Sequence, residues 1–392
     1  MTLKSRRGDL HKGLLSDVMG AFLLVIVFMG VVDYRSSHPE LSHFLPPDSR
    51  SLLGAEYDSI ARAIRQGRGF SDPFEEESGP TAWMTPILPY LLAGVYWCVD
   101  DKRRFVVDVI VVLQMLSNVL TSLLVLRVAR SLNERFIGYA SIIVVFVVNL
   151  LWLFQRTHDV WLLLLIYNFI WVGAFKLWSR PRTLLGAVGW GLSGGLIALC
   201  SPVAGFTWAV VTSVTNIAGG MKRSHLRLFV VVAASSILVV SPWTVRNRLV
   251  LDHWVPIKSN FAYEVWQAQC VDDDGVLDSS TFSKHPWPNA GQERRRYLEV
   301  GEIEFVSSRW PKFRTAVARA PQSYAQRVVN RFTAATWYYE STFQAHENLW
   351  ITTIQRGLFW LPFFGLLMTA AIKSRPRRIA RGGDLAVLIS TC

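Results

Sequence analysis

Long apolar runs alternate with short basic clusters along this chain. Almost uncharged runs occupy Leu15 to Val32, Ala82 to Val99, Phe105 to Leu126, Ile137 to Phe154, Val160 to Trp178, Leu184 to Ala218, Leu226 to Val245 and Leu358 to Ile372. Most approach the roughly 20 apolar residues that carry a helix across about 30 Å of hydrocarbon. A soluble fold would need helices without polar faces, and a chain of this length has few places to bury them. The pattern therefore predicts an all-α integral membrane protein, a multi-span helical bundle. Two polar stretches interrupt it, 33–81 and 246–354, and both are predicted external loops carrying short surface helices.

The predicted organisation is a flank at 1–14, a membrane core at 15–245 that includes the loop 33–81, the second loop at 246–354, and a last span with a basic segment at 355–392. Basic clusters orient it. Lys4, Arg6, Arg7 and Lys12 precede the first run, and "KSRPRRIARGG" follows the last full one. If both are cytoplasmic, the number of crossings between them is even. The run Leu184 to Ala218 contains "GLSGG" and Ser201-Pro202, so it reads as one broken span or as two. Counted as one, it gives eight crossings, a cytoplasmic N-terminus and both polar stretches outside the inner (plasma) membrane. Arg127, Arg130 and Arg135, with Arg180 and Arg182, then fall outside and argue against that count. The exit of the first run, "VVDYRSSHPE", has no small-residue cleavage site, so an uncleaved span is expected there. The terminal "DLAVLISTC" resembles the start of a further span cut short, which leaves two readings, a truncated end or a segment lying at the interface.

Composition narrows the partners. Hydrophobic residues make up 51% of 392, with sixteen tryptophans and a formal charge of +12. The basic residues gather at span ends and in one loop, which argues for membrane orientation and against nucleic acid. Cys98, Cys200, Cys270 and Cys392 have no metal-like spacing, and no disulfide framework is expected.

Candidate chemistry lies in the two polar stretches. "GAEYDSIARAIRQGRGFSDPF", residues 54 to 74, holds Glu56, Asp58 and Asp72. Tyr57, Ile60, Ala61 and Ile64 recur at helical spacing, and Gly67 and Gly69 supply a stop, which predicts a short amphipathic helix over 56–68 lying on the membrane surface. Asp58 falls opposite that stripe, where an i,i+4 ion pair with Arg62 explains it. Glu56 flanks the stripe near the end of the first span, a poor place for a bare charge, and is the stronger catalytic candidate. The acidic runs Glu75 to Glu77 and Asp272 to Asp274 read as solvated; a divalent metal stays open, but no ligand spacing supports one. Arg246, Arg248 and Lys258 follow the seventh run at its external end, where snorkelling is the plain explanation. His285 in "KHPWPN" is a candidate acceptor-binding group, though a lone loop histidine is more often structural. "QERRRYLEVGEIEFVSSRWPKFRTAVARAPQSYAQRVVNRF" is predicted to form two helices broken at Pro321.

The order of a first span, "EYDSIARAIRQGRGFSDPF", "GPTAWMTPILPYLLAGVYW" and "SPWTVRNRLVLDHWVPIKSNFAYEVW" resembles bacterial membrane glycosyltransferases of the GT-C superfamily. The nearest branch is family 39, with the protein O-mannosyltransferases and the aminoarabinose transferases of lipid A. "KHPWPNAGQERRRYLEVGEIEF" and "APQSYAQRVVNRF" are similar to segments of uncharacterised members, and the likeness covers roughly residues 15 to 375. It implies a GT-C-type bundle and transfer of a sugar, with inversion, from a polyprenyl-phosphate carrier to a lipid, glycan or protein acceptor of the cell envelope. The family's catalytic acid lies in the first external loop. Its usual "DE" pair before the tyrosine is absent, since Leu53-Gly54 stand there, which leaves Glu56 as the substitute base with Asp58 and Asp48 in reserve. The resemblance also makes Arg246, Arg248 and Lys258 candidate cations for a lipid phosphate. Two other readings compete: a transporter or flippase of lipid-linked sugar, and a truncated, non-catalytic relative. Against the transporter, no charge lies clearly inside a span and the halves show no repeat.

Overall fold

The computed structural model describes residues 54–75, 78–99, 103–131, 160–179, 183–218, 223–271, 274–276, 284–287 and 291–336, with five positions between 19 and 30. The runs Ile137 to Phe154 and Leu358 to Ile372, most of Leu15 to Val32, Asp48, Glu76, Glu77, Asp272 and Asp273 lie outside the described residues. So do the flanks 1–14 and 355–392. Among the described residues the chain is helical and contains no strand.

The helices are α1 (Ala55–Arg65), α2 (Ile87–Val99), α3 (Arg103–Ser131), α4 (Val160–Ser179), α5 (Leu184–Cys200), α6 (Pro202–Ala218), α7 (Arg223–Leu251), α8 (Phe261–Cys270), α9 (Gln292–Ser307), α10 (Arg309–Arg319) and α11 (Pro321–Thr336). Two stretches, Phe105–Arg127 in α3 and Leu226–Leu251 in α7, are long and apolar enough to cross a membrane. Both turn large apolar side chains outward: Val112, Leu116 and Leu120 on α3, and Val230, Ile237 and Leu238 on α7. Contiguous apolar surface of this kind is membrane-associating chemistry.

The run Leu184 to Ala218 is two helices. Ser201 is extended (φ −157, ψ 122), and Pro202 opens α6 where a missing N–H costs nothing. The two helices then run antiparallel. Trp190 Nε1 donates to Thr212 Oγ1 at 2.9 Å, Gly194 lies under the Trp208 ring and Gly205 abuts Ala198, so paired positions shift in opposite directions. Helix α7 lies parallel to α5, with Gly191 against Val232 and Ser235 and Gly195 against Ser236 and Val239. This answers what "GLSGG" is for. A Cβ on Gly191 would stand 2.4 Å from the Val232 carbonyl oxygen, and one on Gly195 2.7 Å from that of Ser236. Small residues four apart let two helix backbones touch.

Helix α1 departs from expectation in its surroundings. Its apolar stripe does not rest on a membrane surface; Ile60, Ala61 and Ile64 are buried in one cluster with Leu88, Leu92 and Tyr96 of α2. The segment 292–332 also differs, since it forms three helices and not two. Gly301 (φ 77) kinks α9, and Pro311, whose ring would collide with the carbonyl of residue 307, forces the break at Ser308. Helices α8 to α11 form a small layer that meets the loop after α1.

Candidate functional site

The site is built where the segment 54–85 meets the segment 255–306. Gly54 (φ 76) turns the chain sharply into α1, leaving Glu56 and Asp58 in the first turn, where the helix dipole favours negative charge. At the other end, Gly67 N–H donates to the Ile64 carbonyl and Arg68 N–H to that of Ala63, which closes the helix. Residues 70–81 then fold back on themselves. Asp72 N–H donates to the Gly79 carbonyl at 2.8 Å, and the Asp72 carboxylate accepts from Gly79 N–H (2.9 Å) and Arg68 Nε (2.8 Å). Asp72 is thus a brace for its own loop.

Four long-range ties fix this loop, one of them Arg294 donating to the Phe74 carbonyl. Arg246, on α7, donates to the carbonyls of Thr81 and Phe70, each at 2.6 Å, while its guanidinium lies over the Phe70 and Trp243 rings. From the opposite side Glu302, fully buried, accepts from Ala82 N–H (2.8 Å), the Tyr297 hydroxyl (3.0 Å) and the Thr81 hydroxyl. Burial raises the Glu302 carboxyl above its ordinary value even though those donors pull it down. Burial, with Glu302 beside it, lifts the Tyr297 phenol well above its own. The remaining tie is Ser259 N–H to the Ala82 carbonyl at 2.9 Å. It follows a returning strap, 255–258, which α7 catches through Trp243 Nε1 to the Ile257 carbonyl (2.8 Å) and Asn247 Nδ2 to the Val255 carbonyl (2.9 Å).

Within this frame Glu56 and His285 come together, although the sequence keeps them far apart. Glu56 Oε1 lies 3.4 Å from His285 Nε2, and the two side chains are 17% and 12% exposed. The imidazole is walled by aromatic rings, with centroids 5.3 Å from Phe74, 5.8 Å from Trp83 and from Tyr263, and 5.9 Å from Trp287. The Tyr263 hydroxyl donates to the Lys284 carbonyl at 2.9 Å and pins the segment. His285 Nδ1 is buried and has no hydrogen-bond partner among the described residues. Burial pushes the imidazole down to about 4. At neutral pH it is therefore uncharged, and the contact is a neutral ring against a carboxyl group, not an ion pair.

The other expected residues fall into three places. Asp58 makes the expected i,i+4 pair, with Arg62 Nε 3.3 Å from one carboxylate oxygen, but it is buried, and the Tyr96 hydroxyl donates to the other oxygen. It welds α1 to α2. Arg246 and Lys258 both reach the junction, Arg246 through Thr81, and Lys258 as the neighbour of Ser259 with its ammonium 2.7 Å from Glu264. Arg248 stands apart in an exposed pair with Asp252, whose carboxyl it holds below the usual range. Asp274 caps Val276 N–H at 2.8 Å. No group of three or more His, Cys, Asp or Glu side chains that could hold a metal occurs among the described residues.

Sequence reasoning missed Glu302, Tyr297, Thr81 and the ring wall. One signal for Glu302 was present: it follows a glycine and is flanked by Ile303, Phe305 and Val306, an apolar setting unusual for a carboxylate. No protein-family model, curated protein or solved structure matches the chain.

Proposed function

We propose that this chain is an inverting glycosyltransferase of the membrane, moving a sugar from a polyprenyl-phosphate carrier to an envelope acceptor, with Glu56 as general base. The observation that carries the reading is the Glu56–His285 contact: a partly accessible carboxyl group at the edge of an apolar bundle, backed by a neutral imidazole inside an aromatic wall. Its partners suit the task. A carboxylate takes the proton from the acceptor hydroxyl or amine while the lone pair of that atom attacks the anomeric carbon. The bond from that carbon to the phosphate oxygen breaks, and its electron pair leaves with the polyprenyl phosphate. Cations near the departing phosphate stabilise the charge that develops there. Of the candidates, Arg246 already binds two backbone carbonyls, whereas Lys258 is held by a single exposed carboxylate, Glu264, that a phosphate would have to displace. His285 serves behind the base, holding Glu56 in place, and does not itself meet the acceptor.

The reading needs both polar segments on one face of the membrane, because Thr81 bonds to Arg246 and Glu302. An even number of crossings between residues 82 and 246 satisfies this: among the described residues the six helices α2 to α7 supply an even number, with α5 and α6 as an up-and-down pair, and the reading requires that the apolar run at 137–154 add no single crossing to it. A GT-C-type bundle with an external catalytic junction is the architecture we infer.

The test uses the full chain in lipid with radiolabelled polyprenyl-phosphate sugars and an envelope extract as acceptor. Label is expected to reach the acceptor with wild type and to fall by at least about a hundredfold in Glu56→Gln, the usual scale for losing a general base. Transfer retained in Glu56→Gln removes Glu56 from the mechanism. Failure with every donor, while the lipid still binds, replaces the transferase with a non-catalytic binding protein.

A further inference from the structure

Helix α11 is amphipathic in an inverted sense. Its polar side packs inward: Asn330 Nδ2 donates to the Asp274 carbonyl and Arg331 Nη1 to the Ala268 carbonyl, both at 2.9 Å, and Arg327 abuts Gly275. Its apolar side, Ala325, Val328, Val329 and Phe332 at i, i+3, i+4 and i+7, therefore turns outward, with Val329 54% exposed. A soluble domain arranges such a helix the other way round.

The apolar surface continues past α11. A file of rings leads from Tyr324 to Phe313 (centroids 6.1 Å apart), on to Trp310 (5.4 Å) and to Phe261 (6.3 Å), and Trp310 and Phe261 are exposed. Charge along the same helices has one sign: residues 309–336 hold six arginines and lysines and no acidic residue. Of the six, Lys312, Arg314 and Arg319 are exposed.

We propose that α10 and α11 form a docking surface for the anionic lipid interface. The apolar stripe of α11 and the rings of α10 enter the headgroup boundary, and Lys312, Arg314 and Arg319 meet anionic headgroups. Three observations choose lipid over a second copy or a protein partner. The ring file that starts on α11 passes through the exposed Trp310, a residue type that favours the membrane–water boundary. The charge is uniformly basic, matching anionic lipid and opposing a second copy of itself. The surface also belongs to the helical layer that follows α7, a helix long and apolar enough to cross a membrane. The proposal requires a bilayer but not the transfer reaction, so it stands or falls separately from the role of Glu56.

The test is site-directed spin labelling of the full chain in nanodiscs, with Cys98, Cys200, Cys270 and Cys392 replaced by serine. Nitroxides are placed singly at Val329 and Ala325 on the outward stripe and at Ser323 as the polar control. Discs contain either phosphatidylglycerol with phosphatidylethanolamine or phosphatidylcholine alone. The expected result is a several-fold higher ratio of oxygen to nickel-chelate accessibility at Val329 and Ala325 than at Ser323 in the anionic discs. The difference should shrink in phosphatidylcholine and in the triple variant Lys312→Glu, Arg314→Glu, Arg319→Glu. Nickel-chelate accessibility at both stripe positions in both lipids overturns the proposal, as does a ratio that ignores lipid charge. Positions closed to both reagents overturn it in favour of a protein occupant. Two independent stripe positions guard against one label disturbing the fold.

Discussion

The α5–α6–α7 bundle and the polar junction around Thr81 hold together by opposite means. In the bundle, Gly191 and Gly195 bring the α5 backbone against α7, and the Trp190 and Trp208 rings cover Gly173 and Gly194. Contacts there are numerous, weak and dependent on volume. At the junction a few charged and hydroxyl groups span long stretches of chain: Arg246 to Phe70 and Thr81, Glu302 to Thr81 and Ala82, Glu56 to His285. Those contacts are few, directional and dependent on charge. Shape specifies the first region, and hydrogen-bond chemistry specifies the second, where a reaction would need fixed groups.

The sharpest break of that contrast is a volume change in the bundle. Gly195→Leu drives a side chain into Val239 and the Ser236 carbonyl, and it is expected to cost roughly 3 kcal/mol or more, read as a large fall in the thermal midpoint of purified protein in detergent. A midpoint near wild type would mean that α5 and α7 do not touch there.

Next in size is a charge change at the junction. Glu302→Ala leaves the Ala82 amide and the Tyr297 hydroxyl buried without their acceptor, a loss of roughly 3 kcal/mol. Glu302→Gln keeps the volume and one carbonyl oxygen and should lose less. If both variants lose equally, the retained volume contributes nothing and the full carboxylate, accepting through both oxygens, holds the junction; an alanine variant as stable as wild type would break the prediction.

A smaller effect separates the regions by pH. His285 titrates near 6.5 in an unfolded chain and about 4 when buried, so its contribution to stability is present above pH 6.5 and is lost as pH falls toward 4. Glu302 has the opposite sign: with its carboxyl raised, its contribution is present at low pH and is lost as pH rises through the folded value. The wild-type thermal midpoint should therefore drop between pH 6.5 and 4 by more than that of His285→Gln. Equal slopes would show that the imidazole is not buried as described.

The smallest effect belongs to neither region. Asp252→Ala removes an exposed partner of Arg248 and should leave both the thermal midpoint and sugar transfer unchanged. A loss of transfer with the midpoint intact would instead bring Arg248 into the phosphate site.

The helices were largely legible because their causes are local. Apolar runs such as Phe105 to Leu126 announce their period and length, and Pro202 marks the α5–α6 turn in one dipeptide. The break at Ser308 was also local in origin, in Pro311, but the helical pattern on both sides hid it. The burial of Asp58 was not legible: on the helix wheel it sits with Arg62, and only the docking of α2 brings Tyr96 to it. Glu56 and His285 were each identifiable as unusual residues, yet nothing local related one to the other.

The sequence by itself determined the solvent preference and the helical elements, because hydropathy and residue period act over one or two turns. It also supplied the small residues that allow α5 and α7 to close. Tertiary structure alone decided which carboxylates became structural and which stayed accessible. Asp58, Asp72 and Glu302 met donors brought from α2, the 70–81 turn and the Thr81 segment, while Glu56 met an imidazole. A carboxylate's role depends on the donors and the dielectric around it, and here the folding of distant segments against one another sets both.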